Sequence, residues 1–413
     1  MNTESRNSLE AETSEPNVYN RSLLLAFAAN VFQLIAVSLL FRYSDFVYFV
    51  GGTEFNLGLI VGIATIGGVL VRFVQGVAID RLGPKLIWTT SLLLQIVALL
   101  WHLRIDSATS LEVFLARGLF ATGLAGNFGA WLSFVSLQSP HHRVAEVIGV
   151  IGASGFVGMA IGPVIGDQLF SDGSIDQREI SSMFQVAAGM VVVALILASA
   201  ACLSAGSLRI DEPDSSSQRP RRVGDLIQLI KKRRPGVILV VGMLMGLIIG
   251  FPGTYLRPFA ESLGLEQIKT FFLVYNIIAF VSRLSFRRAP QVLGLKKTIA
   301  LGLLFFLMSF LSYLAIPYTG FWTPAIFGGL GHSFLFPSVV AACTNQFPKE
   351  ERGLSTNLIL AMYDLGVFVG MPVIGKILTT APDFGLPAYP SALLVMCATI
   401  VVVNIGFYAR GRA

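Results

Sequence analysis

The chain has 413 residues, of which 54% are hydrophobic, 11% aromatic and 13% charged, and its formal net charge at pH 7 is +6. This apolar content exceeds what the core of a water-soluble domain needs, so a soluble globular protein is excluded. The basic charge would fit nucleic-acid binding, but the positions of the Lys and Arg residues, described below, exclude that interpretation.

The apolar residues form one long run after another, each about 20 residues long, which is the length at which a helix crosses a bilayer. The runs do not alternate with period two, so helices are predicted and barrel strands are not. We predict an all-α membrane protein with twelve spans. Spans 1 to 6 cover residues 22–44, 57–79, 86–103, 110–136, 145–169 and 183–206. Spans 7 to 12 cover residues 236–256, 268–286, 298–316, 322–345, 354–378 and 388–408.

The segments between the spans are rich in Lys and Arg on one side of the membrane only. That side carries Arg81, Lys85, Arg143 and the basic part of a polar linker at residues 207–235. By the positive-inside rule this side and both termini are cytoplasmic, and the basic charge is a topology signal. The first 20 residues are polar and do not resemble a signal peptide. We therefore expect a multi-pass protein of a bacterial inner membrane.

Five segments follow from these boundaries. They are a tail at 1–21, a six-helix bundle at 22–206, the linker at 207–235, a second bundle at 236–408 and a tail at 409–413. Apolar residues at helical spacing after Val223 predict an amphipathic helix in the linker, with a solvated coil as the alternative.

The two halves resemble each other in sequence. With a shift of 211 residues, Arg72, Gly83 and Lys85 fall on Arg283, Gly294 and Lys296, and with a shift of 209 the PVIG at 163–166 falls on the PVIG at 372–375. Each half begins and ends on the same side, so the two copies share one orientation. An axis along the membrane normal should relate them, as in transporters that rock one half against the other.

The stretch GVAIDRLGPK, from Gly76 to Lys85, brings charges to the end of span 2. Gly83 with Pro84 predicts a tight turn over residues 80–85, between spans 2 and 3. Asp80 is placed to face the positive N-terminal end of span 11, which would join the halves as a cytoplasmic gate. We assign Gly76, Asp80, Arg81, Gly83, Lys85 and Arg72 to this gate. The alternative is a plain topology turn.

The same stretch resembles the signature loop of the major facilitator superfamily, G-x-x-x-D-R-x-G-x-K/R. RLSFRRAPQVLGLKK, from Arg283 to Lys297, is similar to a decayed second copy, and RGLFATGLAGNFG, from Arg117, resembles the fourth-helix motif of that superfamily. In span 5, the positions Gly149, Gly158, Gly162, Pro163 and Gly166 resemble a motif of its antiporter members, although Asp167 stands where a second Gly is usual. The resemblance implies two six-helix bundles and transport by alternating access.

The span 5 motif also has a physical reading. Gly158, Gly162 and Gly166 recur every four residues and form a groove on one helix face, and Pro163 should bend the helix. We expect this groove to slide against a helix of the other half, with ordinary tight packing as the alternative.

Ionisable residues inside a span are costly and usually face a cavity or a partner. Asp364 in span 11 is therefore a candidate proton carrier or cation ligand, or else a structural hydrogen-bonding group. The resemblance implies a role for Arg117 in proton coupling or anion binding, whereas a structural pair or snorkelling of the side chain is the alternative. His332 is either a titrating group or a packing residue. As a set, the following neutral polar residues are assigned to a central site, with a structural role as the alternative for any single one: Asn30, Gln33, Asn127, Trp131, Tyr275, Asn276, Asn357 and Tyr363.

No phosphate-binding loop, metal cluster or nucleophile elbow occurs in the sequence, and the three cysteines lie in apolar runs. We expect no enzyme activity, cofactor or metal. The sequence favours a monomeric secondary transporter in the lipid bilayer that exports a small organic molecule by proton antiport. The alternatives are uptake by a proton symporter or uniporter and, from another class, a membrane sensor or scaffold.

Overall fold

The computed structural model describes residues 20–140, 143–170, 175–205, 236–347 and 352–410, and every regular element in these ranges is helical. The predicted linker helix and most of the two tails lie outside the described residues. The predicted all-α membrane fold is confirmed. In the described ranges, 11 helices are long and apolar enough to cross a membrane. The helix at the predicted span 8 has 17 residues, one fewer than the 18 required to be counted among these helices.

The helices follow the predicted order. The first half consists of Arg21–Leu39, which continues through Leu40–Arg42 into Tyr43–Phe49 (span 1), Glu54–Leu82 (span 2), Pro84–His102 (span 3), Leu111–Leu137 (span 4), Val144–Gly152 with Ser154–Leu169 (span 5) and Gln177–Ser204 (span 6). The second half consists of Val237–Ser262 (span 7), Lys269–Ser285 (span 8), the short helix Ala289–Leu293, Leu295–Tyr313 (span 9), the short helix Ile316–Thr319, Trp322–Thr344 (span 10), Arg352–Thr380 (span 11) with the turn Ala381–Phe384, and Ala388–Arg410 (span 12).

Span 2 is longer than its apolar run at both ends. Its N-terminus is fixed by a capping box in which Thr53 and Asn56 satisfy each other's backbone amides. At the other end the helix continues to Leu82, so Asp80 and Arg81 lie in its last turn. The predicted turn over residues 80–85 is therefore wrong in extent, because Gly83 alone separates span 2 from span 3.

Gly83 provides the clearest sign of the internal repeat in the backbone. Its φ and ψ are 78° and 153°, and those of Gly294, which precedes span 9, are 82° and 151°. Residues with a Cβ atom are essentially absent from this region, so both copies need glycine. The pseudo-symmetry predicted from the shift of 211 residues thus extends to an unusual backbone conformation.

The ends of the spans define two faces of the molecule. Ser22 near the start of span 1 donates to the Ala201 carbonyl near the end of span 6, and Lys85 at the start of span 3 donates to the Cys202 carbonyl at 2.8 Å. We call this side the basic face, because Arg81 and Lys85 lie there, and we call the other side the opposite face. Lys85, which is part of the positive-inside signal, also stabilises the negative C-terminal end of span 6.

The glycine groove of span 5 does not contact the other half, so this expectation is wrong. Cβ atoms added at Gly158 and Gly162 would collide with the backbone of span 1 in the same half, at Val31 and Ile35. The groove therefore lets two helices of one bundle approach closely. Span 5 is interrupted at Ala153, whereas Pro163 lies inside a continuous helix.

The two halves meet along two main helix pairs, span 2 with span 11 and span 5 with span 8. The repeat relates these pairs to each other, because span 2 corresponds to span 8 and span 5 to span 11. Span 2 approaches span 11 closely, since a Cβ atom at Gly62 would lie 2.8 Å from the Phe368 carbonyl oxygen. Span 7 also contacts the part of span 1 that lies at the opposite face. A central cavity lies between these contacts.

Candidate functional site

The cavity has a volume of about 280 Å³ and is lined by both halves. Spans 1, 2, 4 and 5 contribute from the first half, and spans 7, 8, 10 and 11 from the second. Among the described residues, none of spans 3, 6, 9 and 12 lines the cavity. A volume of this order lies at the small end of the range for organic ligands.

Most of the lining is apolar, and the polar groups are few. Five of the residues assigned to a central site from the sequence line the cavity: Arg117, Tyr275, Asn276, His332 and Tyr363. Two further polar lining residues, Thr65 and Thr254, were not predicted. Both are short hydroxyl residues inside apolar runs, and the sequence contains no signal that separates them from the other Ser and Thr residues of the spans.

One wall of the cavity contains a hydrogen-bonded pair from spans 8 and 10. The Tyr275 hydroxyl lies 2.9 Å from Nδ1 of His332. The Asn276 amide donates to the Phe272 carbonyl one turn earlier in its own helix, at 2.7 Å. His332 also contacts the ring of Phe156 in span 5, at 6.3 Å between ring centroids. His332 is therefore held by a hydroxyl and by aromatic rings, as a packing residue would be, and a titrating role for it stays a prediction.

Arg117 of span 4 projects from the facing wall of the first half. Its guanidinium carbon lies 4.3 Å from the centroid of the Tyr43 ring and 5.3 Å from that of Phe120. Its Nη1 atom is buried without a hydrogen-bond partner. Among the described residues no carboxylate pairs with it, so the structural ion pair considered from the sequence is not found there.

Asp364 is not the isolated carboxylate that the sequence suggested. Its Oδ2 atom accepts a hydrogen bond from Nε of Arg72 at 2.5 Å, and its backbone carbonyl accepts one from Thr65 at 3.3 Å. The pair joins span 2 of one half to span 11 of the other, one residue from the cavity-lining Tyr363. The sequence places Arg72 in the cytoplasmic gate, whereas in the structure its side chain contacts Asp364.

The repeat copy of Arg72 has a different partner. The guanidinium of Arg283 in span 8 lies over the ring of Phe156 in span 5, at 5.8 Å. With the shift of 209, Asp364 corresponds to Gly155, so span 5 offers no carboxylate there. One interface between the halves therefore contains an ion pair, and its pseudo-symmetric copy contains a cation over an aromatic ring.

The remaining neutral residues assigned to the site do not line the cavity. Asn30 donates to Ser154 and Gln33 to Gln95, both inside the first half. Trp131 donates to the Ala26 carbonyl at 3.1 Å. Asn127 is buried away from the cavity and Asn357 is half-buried on span 11. Most of these side chains join helices of one bundle.

A buried charge cluster connects the halves at the opposite face. Arg42 at the end of span 1 donates to Asp45 at 2.9 Å and to Asp167 of span 5 at 3.0 Å. Arg257 of span 7 forms an ion pair with Asp45 at 3.3 Å. None of the four residues is more than 7% exposed. We call Arg42, Asp45, Asp167 and Arg257 the opposite-face cluster.

Asp167 extends this cluster to the start of span 8. Its Oδ2 atom accepts from the backbone amides of Ile268 and Lys269 at 2.9 and 2.8 Å. Arg42 also donates to the Glu266 carbonyl at 2.8 Å. A carboxylate at the first amides of a helix satisfies donors that the helix itself cannot pair. Asp167, the residue that departs from the span 5 motif, thus bridges the two halves.

Sequence reasoning missed this cluster because Arg42 and Asp167 lie inside two predicted spans and Asp45 and Arg257 directly after two others, and no spacing in the sequence connects the four. Their signal was visible, since Arg42, Asp45 and Arg257 adjoin or interrupt apolar runs. A second missed contact lies between the cluster and the cavity, where the rings of Phe41 and Phe272 stack across the halves at 4.4 Å. Among so many phenylalanines, no sequence pattern distinguishes this pair.

The predicted cytoplasmic gate is only partly visible. The surroundings of Gly76 and of the Asp80 side chain, and those of the first residues of span 11, lie outside the described part of the chain. Arg81 is exposed at the basic face. The contact between Asp80 and span 11 therefore stays a prediction. Within the described ranges, no group of three or more His, Cys, Asp or Glu residues could hold a metal ion.

Comparison with known proteins agrees with this architecture. A sequence profile described as "Major Facilitator Superfamily" matches residues 22–323 and 291–411. The chain is 22% identical over 369 residues to the staphylopine export protein of Staphylococcus aureus, covering 86% of this chain and 87% of that protein. It is 23% identical over 341 residues to the agnestins efflux protein of Paecilomyces divaricatus, covering 80% and 73% of the two chains.

Solved structures show the same fold. The crystal structure of the nucleoside transporter NupG superposes with a TM-score of 0.76, covering 94% of this chain and 99% of that one, at 15% sequence identity. At this identity the similarity concerns the fold and says nothing about the solute.

Proposed function

Because the chain belongs to the major facilitator superfamily, we propose that this multi-pass membrane transporter exports a small organic solute in exchange for protons. The central cavity lies between two like-oriented bundles, as alternating access requires. Export is supported by the span 5 motif and by the two relatives, which are named for export and efflux. Proton coupling is supported chiefly by the ion pair between Arg72 and Asp364.

That pair has the properties of a coupling element. It joins the two halves next to the cavity-lining residues Thr65 and Tyr363, and its side chains are only 13% and 12% exposed. Protonation of Asp364 would remove one charge and with it the attraction between span 2 and span 11. A proton bound there would thereby favour separation of the two helices, and loss of the proton would favour their contact.

The opposite-face cluster would act later in the same cycle. In this structure it holds the opposite-face ends of the two halves together through Arg42, Asp167 and Arg257. Opening of that face requires these contacts to break, so their free energy must be supplied by solute or proton binding elsewhere. Two discrete arrangements of the halves follow, each closed by its own set of contacts.

The experiment uses proteoliposomes that contain the trapped pH dye pyranine, with valinomycin and potassium to clamp the membrane potential. Outside solutes are added from a panel of organic acids, bases and neutral compounds, and protein-free liposomes correct for passive permeation. Antiport moves protons out as solute enters and makes the lumen alkaline, whichever way the protein is inserted. Symport makes the lumen acidic, and a uniporter leaves the lumen pH unchanged.

Asp364→Asn should abolish the pH change because the amide cannot take up a proton, while solute counterflow continues and shows that the variant is folded. Asp383→Asn, the same change at an exposed residue of the opposite face, is the matched control and should behave as the unmodified protein. An undiminished pH change in Asp364→Asn would contradict the assignment. Acidification in place of alkalinisation would support uptake by symport.

A further inference from the structure

Arg117 has no part in the coupling proposed above, yet it is the only Lys, Arg, Asp or Glu among the described residues that line the cavity. An arginine side chain does not lose its proton in proteins, so this position carries a permanent positive charge. The cavity wall is therefore cationic at one point and apolar over most of its area.

The charge is only partly compensated within the described chain. The guanidinium rests on the rings of Tyr43 and Phe120, which attract a cation through their faces. Its Nη1 atom has no hydrogen-bond partner and almost no exposed surface. A buried cation without a carboxylate is expensive, and its planar donors match the oxygens of a carboxylate or phosphate.

The wider surroundings of the cavity also have an excess of positive charge. Asp364 is already neutralised by Arg72, so it offers no free negative charge. Arg283 lies over Phe156, which contacts the cavity-lining His332, and has no carboxylate partner among the described residues. Its own side chain is exposed, so solvent weakens its effect and Arg117 is the main source of the positive potential. A cationic solute would be repelled by this arrangement, and a neutral one would leave Arg117 without a counter-charge.

We propose that the solute is an organic anion in which a carboxylate is attached to an apolar or aromatic body. The carboxylate binds the guanidinium of Arg117, and the body lies against Phe120, Phe271 and Tyr275. The cavity volume of about 280 Å³ suits a small molecule of this kind. This inference rests on the proposed transport function, because it names the solute class of the same cavity.

The test measures binding in detergent, without a gradient, by the thermal shift of the purified protein. The probes are benzoate, cinnamate, indole-3-acetate and octanoate, each compared with its neutral amide, and phenyl phosphate as a second oxyanion. We expect the carboxylates to raise Tm and the amides not to do so. Stabilisation by phenyl phosphate alone, equal effects of acids and amides, or no effect of any carboxylate would each overturn the proposal.

Variants of Arg117 separate anion binding from a structural role. Arg117→Gln should weaken carboxylate binding at least about tenfold, as expected when a charge-assisted hydrogen bond is lost, and Arg117→Lys should keep part of the affinity. Arg104→Gln, at the opposite-face end of span 3, is the control. Arg117→Met should raise Tm in the absence of any anion, because the uncompensated charge is gone. A fall in Tm for Arg117→Met would assign the residue a structural role and overturn the proposal.

The two proposals fail in distinguishable ways. Carboxylate binding that depends on Arg117, without a proton signal in the pyranine experiment, would overturn proton coupling and leave the solute class standing. Transport of a neutral solute with a proton signal would overturn the solute class and leave the transport function standing.

Discussion

The pair formed by Arg72 and Asp364 shows what a single buried contact does in a membrane protein. Each residue alone would be an uncompensated charge at depth, whereas together they are neutral and hydrogen-bonded. Removing one partner leaves the other buried and unpaired, which typically costs about 3–5 kcal/mol. Removing both leaves two neutral polar groups and costs less.

This asymmetry predicts the outcome of a double-mutant cycle. Arg72→Gln should lower the thermal stability of the purified protein more than the double variant Arg72→Gln/Asp364→Asn does, because the double variant contains no unpaired carboxylate. The measurement is Tm in detergent for the unmodified protein, both single variants and the double variant. Additive losses in the double variant would show that the two side chains do not interact energetically.

Neutral polar residues show how much helical spacing predicts about the contacts of a side chain. Asn30 and Gln33 share one face of span 1, as their spacing predicts, but that face contacts Ser154 and Gln95 of the same bundle. Tyr275 and Asn276 are adjacent on span 8, and both line the cavity. Helical spacing identifies residues that point the same way, but it does not identify what they point at.

At the scale of helices, span 5 shows how one substitution within a motif changes a contact. The glycine groove packs on span 1, and the residue after Gly166 is a carboxylate that reaches the first amides of span 8 in the other half. A glycine at that position would offer no acceptor to these amides or to Arg42. Asp167 thus makes closure of the opposite face dependent on charge.

We expect Asp167→Asn to favour opening of the opposite face, because the isosteric amide removes the charge that faces four hydrogen-bond donors, two on Arg42 and the amides of Ile268 and Lys269. The measurement is labelling of Thr254→Cys, a cavity position that is 6% exposed, in a background without the three native cysteines. An impermeant maleimide is added from the opposite face of oriented vesicles. The labelling rate should rise at least about threefold. This corresponds to a shift of roughly 0.7 kcal/mol in the equilibrium between the closed and the open opposite face.

The control for this prediction is Arg143→Gln. Arg143 and Glu146 form an ion pair at the basic face whose side chains are 30% and 48% exposed, and such pairs contribute little to stability. Labelling of Thr254→Cys should therefore be unchanged in this variant. Equal labelling rates with Asp167 and with Asn at position 167 would show that the opposite-face cluster does not hold that face closed.

At the scale of the whole molecule, the fold depends on two bundles that share one orientation. Leu82 at the end of span 2 and Val292 before span 9 lie close to the repeat-related Gly83 and Gly294, and they are 58% and 78% exposed. Leu111 at the start of span 4 is 71% exposed and belongs to the other face. These three positions test the topology directly.

Single cysteines at positions 82 and 292 should react with an impermeant maleimide from the same side of the membrane, and a cysteine at 111 should react from the other side. The positive-inside rule further predicts that positions 82 and 292 are cytoplasmic. Labelling of intact and everted membrane vesicles measures both statements. Labelling of 82 and 292 from different sides would contradict the parallel repeat.

The sequence by itself determined that the protein spans a membrane, how many helices it has and that its halves are copies, because these properties follow from local hydrophobicity and from repeated residues at fixed spacing. The glycine conformation at positions 83 and 294 could be anticipated for the same reason. The tertiary structure alone decided that Asp364 pairs with Arg72, that Asp167 caps span 8 and that Arg117 lines the cavity with no carboxylate partner in the described part of the chain. Partners of buried charges lie hundreds of residues away, and the free energy of a buried charge depends on which of them the packing brings within hydrogen-bonding distance.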